Sequence, residues 1–294
     1  MAIRTPGLEP LPFRDLASLV AEHARHRPTH PALVVGERRL DYASFDALID
    51  RVAASLQRDG CRPQQVVAIC AASSIEYVAV FLGALRAGLA VAPLAPSSTP
   101  RQLLGMATDA GAQRWFVDAD VAQALQRAGV AVPAAMPLTR LDNDEFASWL
   151  APQNAKPAPV AIAPEWAFNI IYSSGTTGSP KGIVQPHGMR WGQVARAATA
   201  GYAPGCVTLI ATPLYSNTTL VAVIPTLANG GCVVLMPKFE AGAYLALAAR
   251  EHATHTMLVP VQYQRLMARP DFGAYDLSSF IVKLCTSAPF AAAL

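Results

Sequence analysis

Tyr172-Ser173-Ser174-Gly175-Thr176-Thr177-Gly178-Ser179-Pro180-Lys181-Gly182 is the stretch on which the reading of this chain turns. The apolar run Trp166 to Tyr172 predicts a strand feeding into it, and Gly182 to Val184 predicts a strand leaving it. Gly175, Gly178 and Gly182 give the backbone freedom to turn and to approach a ligand closely. Successive N–H groups in such a loop form a nest for anionic oxygens. Ser173, Ser174, Thr176 and Thr177 add hydroxyl donors, and Lys181 adds a positive charge. Together these groups suit a polyphosphate. The spacing is G-x-x-G-x-x-K-G, not the G-x-x-x-x-G-K-S/T of common nucleotide-hydrolysing loops, and no dinucleotide G-x-G-x-x-G is present. As loose composition the stretch would be a Ser/Thr/Gly linker. As an ordered string between two strands it suits a phosphate-binding loop.

Outward from the loop, helical and strand periodicities alternate. Upstream the pattern predicts an opening helix through Leu16, Leu19, Val20 and His23, ended by Arg27-Pro28, and a strand pair at Ala32–Val35 and Arg39–Asp41. Helix Tyr42–Gln57, strand Val66–Cys70, helix Ser74–Ala87 and strand Leu89–Pro93 follow. Next come helix Thr99–Ala110 with Pro100 at its first position, strand Trp115–Val117 and helix Ala119–Ala128. The stretch from Asn143 to Pro164, with Pro152, Pro157, Pro159 and Pro164, reads as a connector. Downstream of the loop, helices at Gly188–Ala200, Thr219–Ala228, Gly242–Glu251 and Val261–Met267 alternate with strands at Val207–Ala211, Cys232–Met236, Thr254–Val259 and Phe280–Cys285. Such alternation predicts an α/β fold: two similar subdomains of mostly parallel sheet flanked by helices. We place the first over residues 1–160 and the second, carrying the loop, over 161–294.

Composition bounds the function. Of 294 residues, 52% are hydrophobic and 15% charged, and the net charge is +3, so a sizeable core is expected and disorder is excluded. The arginines are scattered, so no nucleic-acid partner is expected. No charged residue occurs between Arg196 and Lys238, but Pro204, Pro213, Pro225, Gly230 and Gly231 break that run. A membrane span needs about 20 uninterrupted apolar residues, so none is expected. Cys61, Cys70, Cys206, Cys232 and Cys285 are odd in number and lack C-x-x-C spacing, which predicts reduced, mostly buried thiols and a cytoplasmic setting. The histidines show no metal spacing, and no metal ligands are assigned.

The loop string resembles the phosphate-loop signature of the adenylate-forming superfamily, which includes acyl-CoA synthetases, aryl-CoA ligases, luciferases and peptide-synthetase adenylation domains. Weaker similarities keep the family's order: Leu40-Asp41-Tyr42-Ala43-Ser44-Phe45, Leu85-Arg86-Ala87-Gly88 with Pro93-Leu94-Ala95-Pro96, Pro213-Leu214-Tyr215, Ala228-Asn229-Gly230-Gly231, and Thr254-His255 with Val259-Pro260. The resemblance covers nearly the whole chain and implies the large N-terminal domain of such enzymes. It implies that a carboxylate attacks the α-phosphate of ATP, expels pyrophosphate, and passes as acyl-adenylate to a nucleophile such as the thiol of coenzyme A. Ser173, Ser174, Gly175, Thr176, Thr177, Gly178 and Lys181 would then hold the phosphates, with Mg²⁺ on the phosphate oxygens, and donors fixed there would stabilise the departing charge. Tyr215, Ser216 and Asn217 would line the pocket for a small carboxylic acid, although Tyr215 equally suits core packing. Ser216 stands where many relatives have His, which leaves the acid open. His187 could act as an acid or base, but reads first as a residue that caps or orients the following helix.

Family members run to nearly twice this length. The chain ends soon after Cys285-Thr286-Ser287-Ala288-Pro289, which resembles the turn before the adenine site. The ribose-binding aspartate, the hinge and the catalytic lysine of the family therefore have no counterpart here. On this reading the chain is an N-terminal fragment, inactive alone and prone to self-association. Two alternatives stand beside it: an aryl- or amino-acid adenylation domain, and a non-catalytic binding module. The absence of Asp from Thr208 to Lys238 counts against an amino-acid substrate.

Overall fold

The computed structural model describes residues 11–173 and 180–286. The chain opens with α1 (Leu16–His26), β1 (Pro31–Val35), β2 (Arg38–Asp41), α2 (Tyr42–Arg58), β3 (Val66–Cys70), α3 (Ile75–Arg86) and β4 (Ala90–Pro93). It continues through α4 (Pro100–Asp109), β5 (Ala112–Val117), α5 (Ala119–Arg127), β6 (Leu138–Arg140), α6 (Asp144–Trp149), β7 (Ala167–Ser173), β8 (Lys181–Pro186) and α7 (His187–Ala197). The last elements are β9 (Val207–Ile210), α8 (Asn217–Ala228), β10 (Cys232–Leu235), α9 (Ala241–Arg250), β11 (His255–Leu258), α10 (Pro260–Met267) and β12 (Val282–Cys285).

Local chemistry sets most of these boundaries. Asp15, Asp41, Ser74, Thr99 and Asp118 each accept a backbone N–H of the first turn of the helix they precede, filling donors that no helical carbonyl can reach. Thr99 and Gln102 complete a capping box, with Pro100 behind them. Helix α3 stops at Gly88, whose φ of +76° suits glycine, and whose missing side chain leaves room for Val160, 2.8 Å from where a Cβ would stand.

Among the described residues the strands form two six-stranded sheets, in the orders β12-β11-β9-β10-β1-β2 and β6-β5-β3-β4-β7-β8. All neighbours are parallel except β1–β2 and β7–β8, so each sheet carries one antiparallel edge. The expected α/β class and mostly parallel sheets are present. The sheets do not follow the division at residue 160. Strands β1 and β2 lie against β10 in the first sheet, and β7 and β8 extend the second. A fully apolar strand such as β1 needs cover on both faces, and β10 offers it a parallel edge some 200 residues downstream, pairing Leu33 with Val233.

Alternation along the strands sorts residues into three cores. Leu33, Val67, Ile69 and Val233 face one shared core with α1, α2, α3 and α8. Their chain neighbours Val34 and Val234 face α9 and α10. Val66, Ala68 and Cys70 face α4 and α5. The result is five layers, helices–sheet–helices–sheet–helices, with the central helical layer common to both sheets. The charge-free run becomes β9, the almost wholly buried α8 and β10. No helix among the described residues is long and apolar enough to cross a membrane.

The stretch read as a connector holds one short helix, α6, and is pinned onto α2. Asn143 caps α6, Trp149 Nε1 donates to Asp59 Oδ2 at 2.6 Å, and Ala151 N donates to Ser55 Oγ at 2.6 Å. Strand β6, three residues long, was also unexpected; both elements are too short to show a period.

Candidate phosphate and acid site

Strands β7 and β8 make an antiparallel hairpin whose last register pair is Ser173 with Lys181. Both residues are exposed. The two ends of the glycine-rich stretch thus stand side by side, as a strand–loop–strand unit. Ser174, Gly175, Thr176, Thr177 and Gly178 lie outside the described residues. Gly182 departs from the role expected for it. It has no left-handed backbone, and a Cβ there would stand 3.0 Å from Ile170 Cγ2 and 3.3 Å from the Tyr172 ring. Its lack of a side chain makes room for its cross-strand partner Tyr172. The Tyr172 hydroxyl sits 2.6 Å from Asp109 Oδ2 and 2.9 Å from Met106 O, which fixes the hairpin against α4. Burial and the neighbouring Asp109 carboxylate push that hydroxyl's pKa up.

The segment Tyr215-Ser216-Asn217 lies beyond the C-terminal end of β9 and opens α8, all three residues half-buried. The turn before it is held by Ser216 N donating to Pro213 O at 3.0 Å, by Thr219 Oγ1 donating to Thr212 Oγ1 at 2.8 Å, and by Leu214 N reaching Ser73 Oγ at 3.4 Å. Ser216 Oγ and Thr218 Oγ1 share a hydrogen bond of 2.7 Å, so Ser216 does not cap the helix. Burial, with Cys70 and Tyr215 nearby, pushes the Tyr77 hydroxyl up, and this hydroxyl has no partner among the described residues. Both candidate segments therefore leave the carboxyl ends of parallel strands, where ligands of open α/β sheets bind.

What joins them was not legible in the sequence. Arg190 of α7, 2% exposed, donates through Nη2 to Asn169 Oδ1 of β7 at 3.0 Å and to Asn217 Oδ1 at 2.8 Å. It also donates to Gln185 Oε1 of β8, and through Nη1 to Gln193 Oε1 at 3.2 Å. One guanidinium thus ties both strands of the hairpin to the first residue of α8. An arginine on an amphipathic helix normally predicts a solvated face, so no sequence signal singles it out. His187 is the first residue of α7, buried edge-on against Phe168 at 5.1 Å, and burial pushes its pKa down to about 4.

A two-sheet, five-layer α/β body with the β7–β8 hairpin bracketing the glycine-rich stretch is the architecture of adenylate-forming enzymes. The chain belongs to the AMP-binding enzyme family, whose model matches residues 20–294. It is 30% identical over 283 residues to a feruloyl-CoA synthase from an Amycolatopsis species, covering 96% of this chain and 56% of that protein. It is 31% identical over 227 residues to the phosphinothricin tripeptide synthetase PhsB of Streptomyces viridochromogenes, covering 75% of this chain and 18% of that protein. Among solved structures, the inhibitor-bound N-terminal domain of FACL13 from Mycobacterium tuberculosis superposes with a TM-score of 0.85 at 24% identity, covering 96% of this chain and 72% of that one. The chain spans about half the length of the curated CoA-ligase relatives it matches.

Proposed function

We propose that this chain carries the phosphate-holding and acid-lining part of an ATP-dependent carboxylate-activating ligase. In that reaction a carboxylate oxygen attacks the α-phosphate of ATP, the bond to the β-phosphate breaks and pyrophosphate leaves; the thiol of coenzyme A then attacks the acyl carbon of the adenylate, the acyl–phosphate bond breaks, and AMP leaves. The observation that supports this reading best is the in-register pairing of Ser173 with Lys181 at the mouth of the Ser/Thr/Gly loop, in a chain of the AMP-binding family. Lys181 and the hydroxyls of Ser173, Ser174, Thr176 and Thr177 would hold the β- and γ-phosphates, with the backbone of Gly175 and Gly178 close against them. Charge grows on those oxygens as pyrophosphate departs, and fixed donors there lower the barrier. Tyr215, Ser216 and Asn217 would wall the pocket for the acid. Mg²⁺ would ride on the phosphate oxygens; among the described residues no three acidic, His or Cys side chains gather to hold it separately.

An aryl acid with coenzyme A as acceptor is favoured by the resemblance to a feruloyl-CoA synthase. Transfer to a carrier protein, as a peptide-synthetase relative would suggest, is the second reading; the neutral Ser216 and Asn217 weigh against an amino-acid substrate. A cytoplasmic setting agrees with free, buried Cys70, Cys206 and Cys232, whose thiols burial pushes up, Cys232 to about 12. Self-association is supported by the edge of β12, which no other strand among the described residues pairs, beside an apolar cavity of about 620 Å³ walled by Leu258, Leu266, Phe272 and Phe280. Sedimentation showing a clean monomer at high concentration would count against it.

The test is calorimetric titration of the chain with Mg·ATP and with pyrophosphate, beside Lys181→Ala, together with pyrophosphate exchange over a panel of aryl and fatty acids including ferulate. Removing the lysine is expected to weaken phosphate binding about tenfold or more, the worth of one charge-assisted contact. Exchange with one acid would name the substrate. Equal binding by both proteins would remove Lys181 from the site, and no binding by either would sink the reading.

A further inference from the structure

Arg190 is an anomaly as a buried cation. Only 2% of it is exposed, it lies 5.6 Å over the Phe168 ring, and among the described residues it makes no ion pair. Every oxygen it donates to belongs to a neutral amide: Asn169, Gln185, Gln193 and Asn217. Asp15 shares a small cavity wall with it, but accepts from Ser18 N at 2.8 Å as the cap of α1. Burial lowers the guanidinium's pKa to about 10, so it still carries its proton at neutral pH. Burying a charge is costly, and the ordinary remedy is a carboxylate. Here four side chains that differ from carboxylates by one atom accept its hydrogen bonds and leave its charge intact. The hub is also short of an acceptor: Asn169 is 0% exposed, and its Nδ2 has no partner among the described residues.

We propose that Arg190 is a positioning residue that locks the β7–β8 hairpin to the first residue of α8 and, because its partners are all neutral, keeps the junction between the Ser173–Lys181 pair and the Tyr215–Asn217 segment electropositive for an anionic ligand. The inference rests on the phosphate reading above. Asn169 and Gln185 face each other across the hairpin, and Ser173 lies four positions further along β7. That separation is about 13 Å at the rise of an extended strand. At an effective dielectric constant of about 20, one uncompensated charge over that distance corresponds to roughly a tenfold factor in binding a single negative charge, less as salt screens it. The acid segment is nearer still, since Asn217 touches the guanidinium directly.

The test is Gln193→Glu, which supplies the missing carboxylate from the helix's own surface without changing shape and lies outside both the loop and the Tyr215 segment. The urea midpoint and the affinity for Mg²⁺–pyrophosphate are measured together at low and at physiological salt. Gln193→Glu is expected to keep or raise the midpoint while losing roughly three- to tenfold in affinity, with the gap narrowing as salt rises. Arg190→Met is expected to lose both, since it removes the lock as well as the charge. A Gln193→Glu protein that binds as tightly as the unsubstituted chain overturns the electrostatic role. A Gln193→Glu protein that loses stability and affinity in parallel would reduce Arg190 to a structural residue and overturn it too. If the unsubstituted chain binds no pyrophosphate, the phosphate reading fails and takes this inference with it, so the two failures are distinguishable.

Discussion

His187 illustrates what a single buried group does to the whole protein. It is 3% exposed and packs against Phe168, and burial holds its imidazole neutral down to about 4. In the unfolded chain its pKa returns to the ordinary value near 6.5. Between those values the unfolded chain binds a proton that the folded one refuses. Stability is therefore fully present above about pH 6.5 and falls as the pH drops toward 4. A displacement of that size corresponds to roughly 3 kcal/mol. Urea titrations at about pH 7.5 and about pH 5 should show the loss, and His187→Leu should flatten it. His30 and His255, both lowered chiefly by burial, push the same way, so a residual slope is expected in the variant. Sequence alone placed His187 correctly at the start of a helix, because the strand and loop before it fix the register. Arg190, three residues on, escaped it, because burial of a cation depends on partners from four different elements.

At the scale of elements, helix α3 is packed against α2 more closely than side chains normally allow. A Cβ on Gly83 would stand 2.4 Å from Val52 Cγ1 and 2.6 Å from Val52 Cβ, with Ile49 O at 3.1 Å. Glycine inside a helix costs about 1 kcal/mol relative to alanine, so Gly83→Ala should stabilise the helix itself. The clash reverses the sign. A net loss of roughly 1–3 kcal/mol in urea unfolding is expected, because a packed core yields little to an added methyl. Adding Val52→Ala should recover part of that loss, and strict additivity of the two changes would show that the contact is not the cause. The boundaries of α2, α3, α4 and α5 were legible because their caps are local, each an Asp, Ser or Thr bonded within three residues. Strand β6 and helix α6 were not, since neither is long enough to reveal a period. The expected role of Gly182 was wrong for a related reason: the need for glycine there is set by Tyr172 on the neighbouring strand, not by its own backbone.

For the molecule as a whole, interleaving of the sheets has a direct consequence. Residues 1–160 contain β1 and β2 without β10, and β4 without β7. That piece would leave parallel edges and the inner faces of α1, α2 and α3 uncovered, and α8, which packs among those helices, would be missing. It is expected to lack a cooperative unfolding transition and to aggregate; a sharp, reversible melt of the isolated piece would refute this. Folding of the whole chain should be slow for its size, because the pairing of Leu33 with Val233 must close a very long loop before it yields anything. The sequence by itself determined the α/β class, the order and type of nearly all elements, and the phosphate-loop string, because periodicity, caps and turn residues act over a few positions and are written consecutively. Only the tertiary structure decided that the two halves share their sheets, that Ser173 and Lys181 stand opposite each other, and that a buried Arg190 binds the hairpin to Asn217. These depend on which distant segments cover each other's apolar faces and neutral oxygens, and no local pattern records that choice.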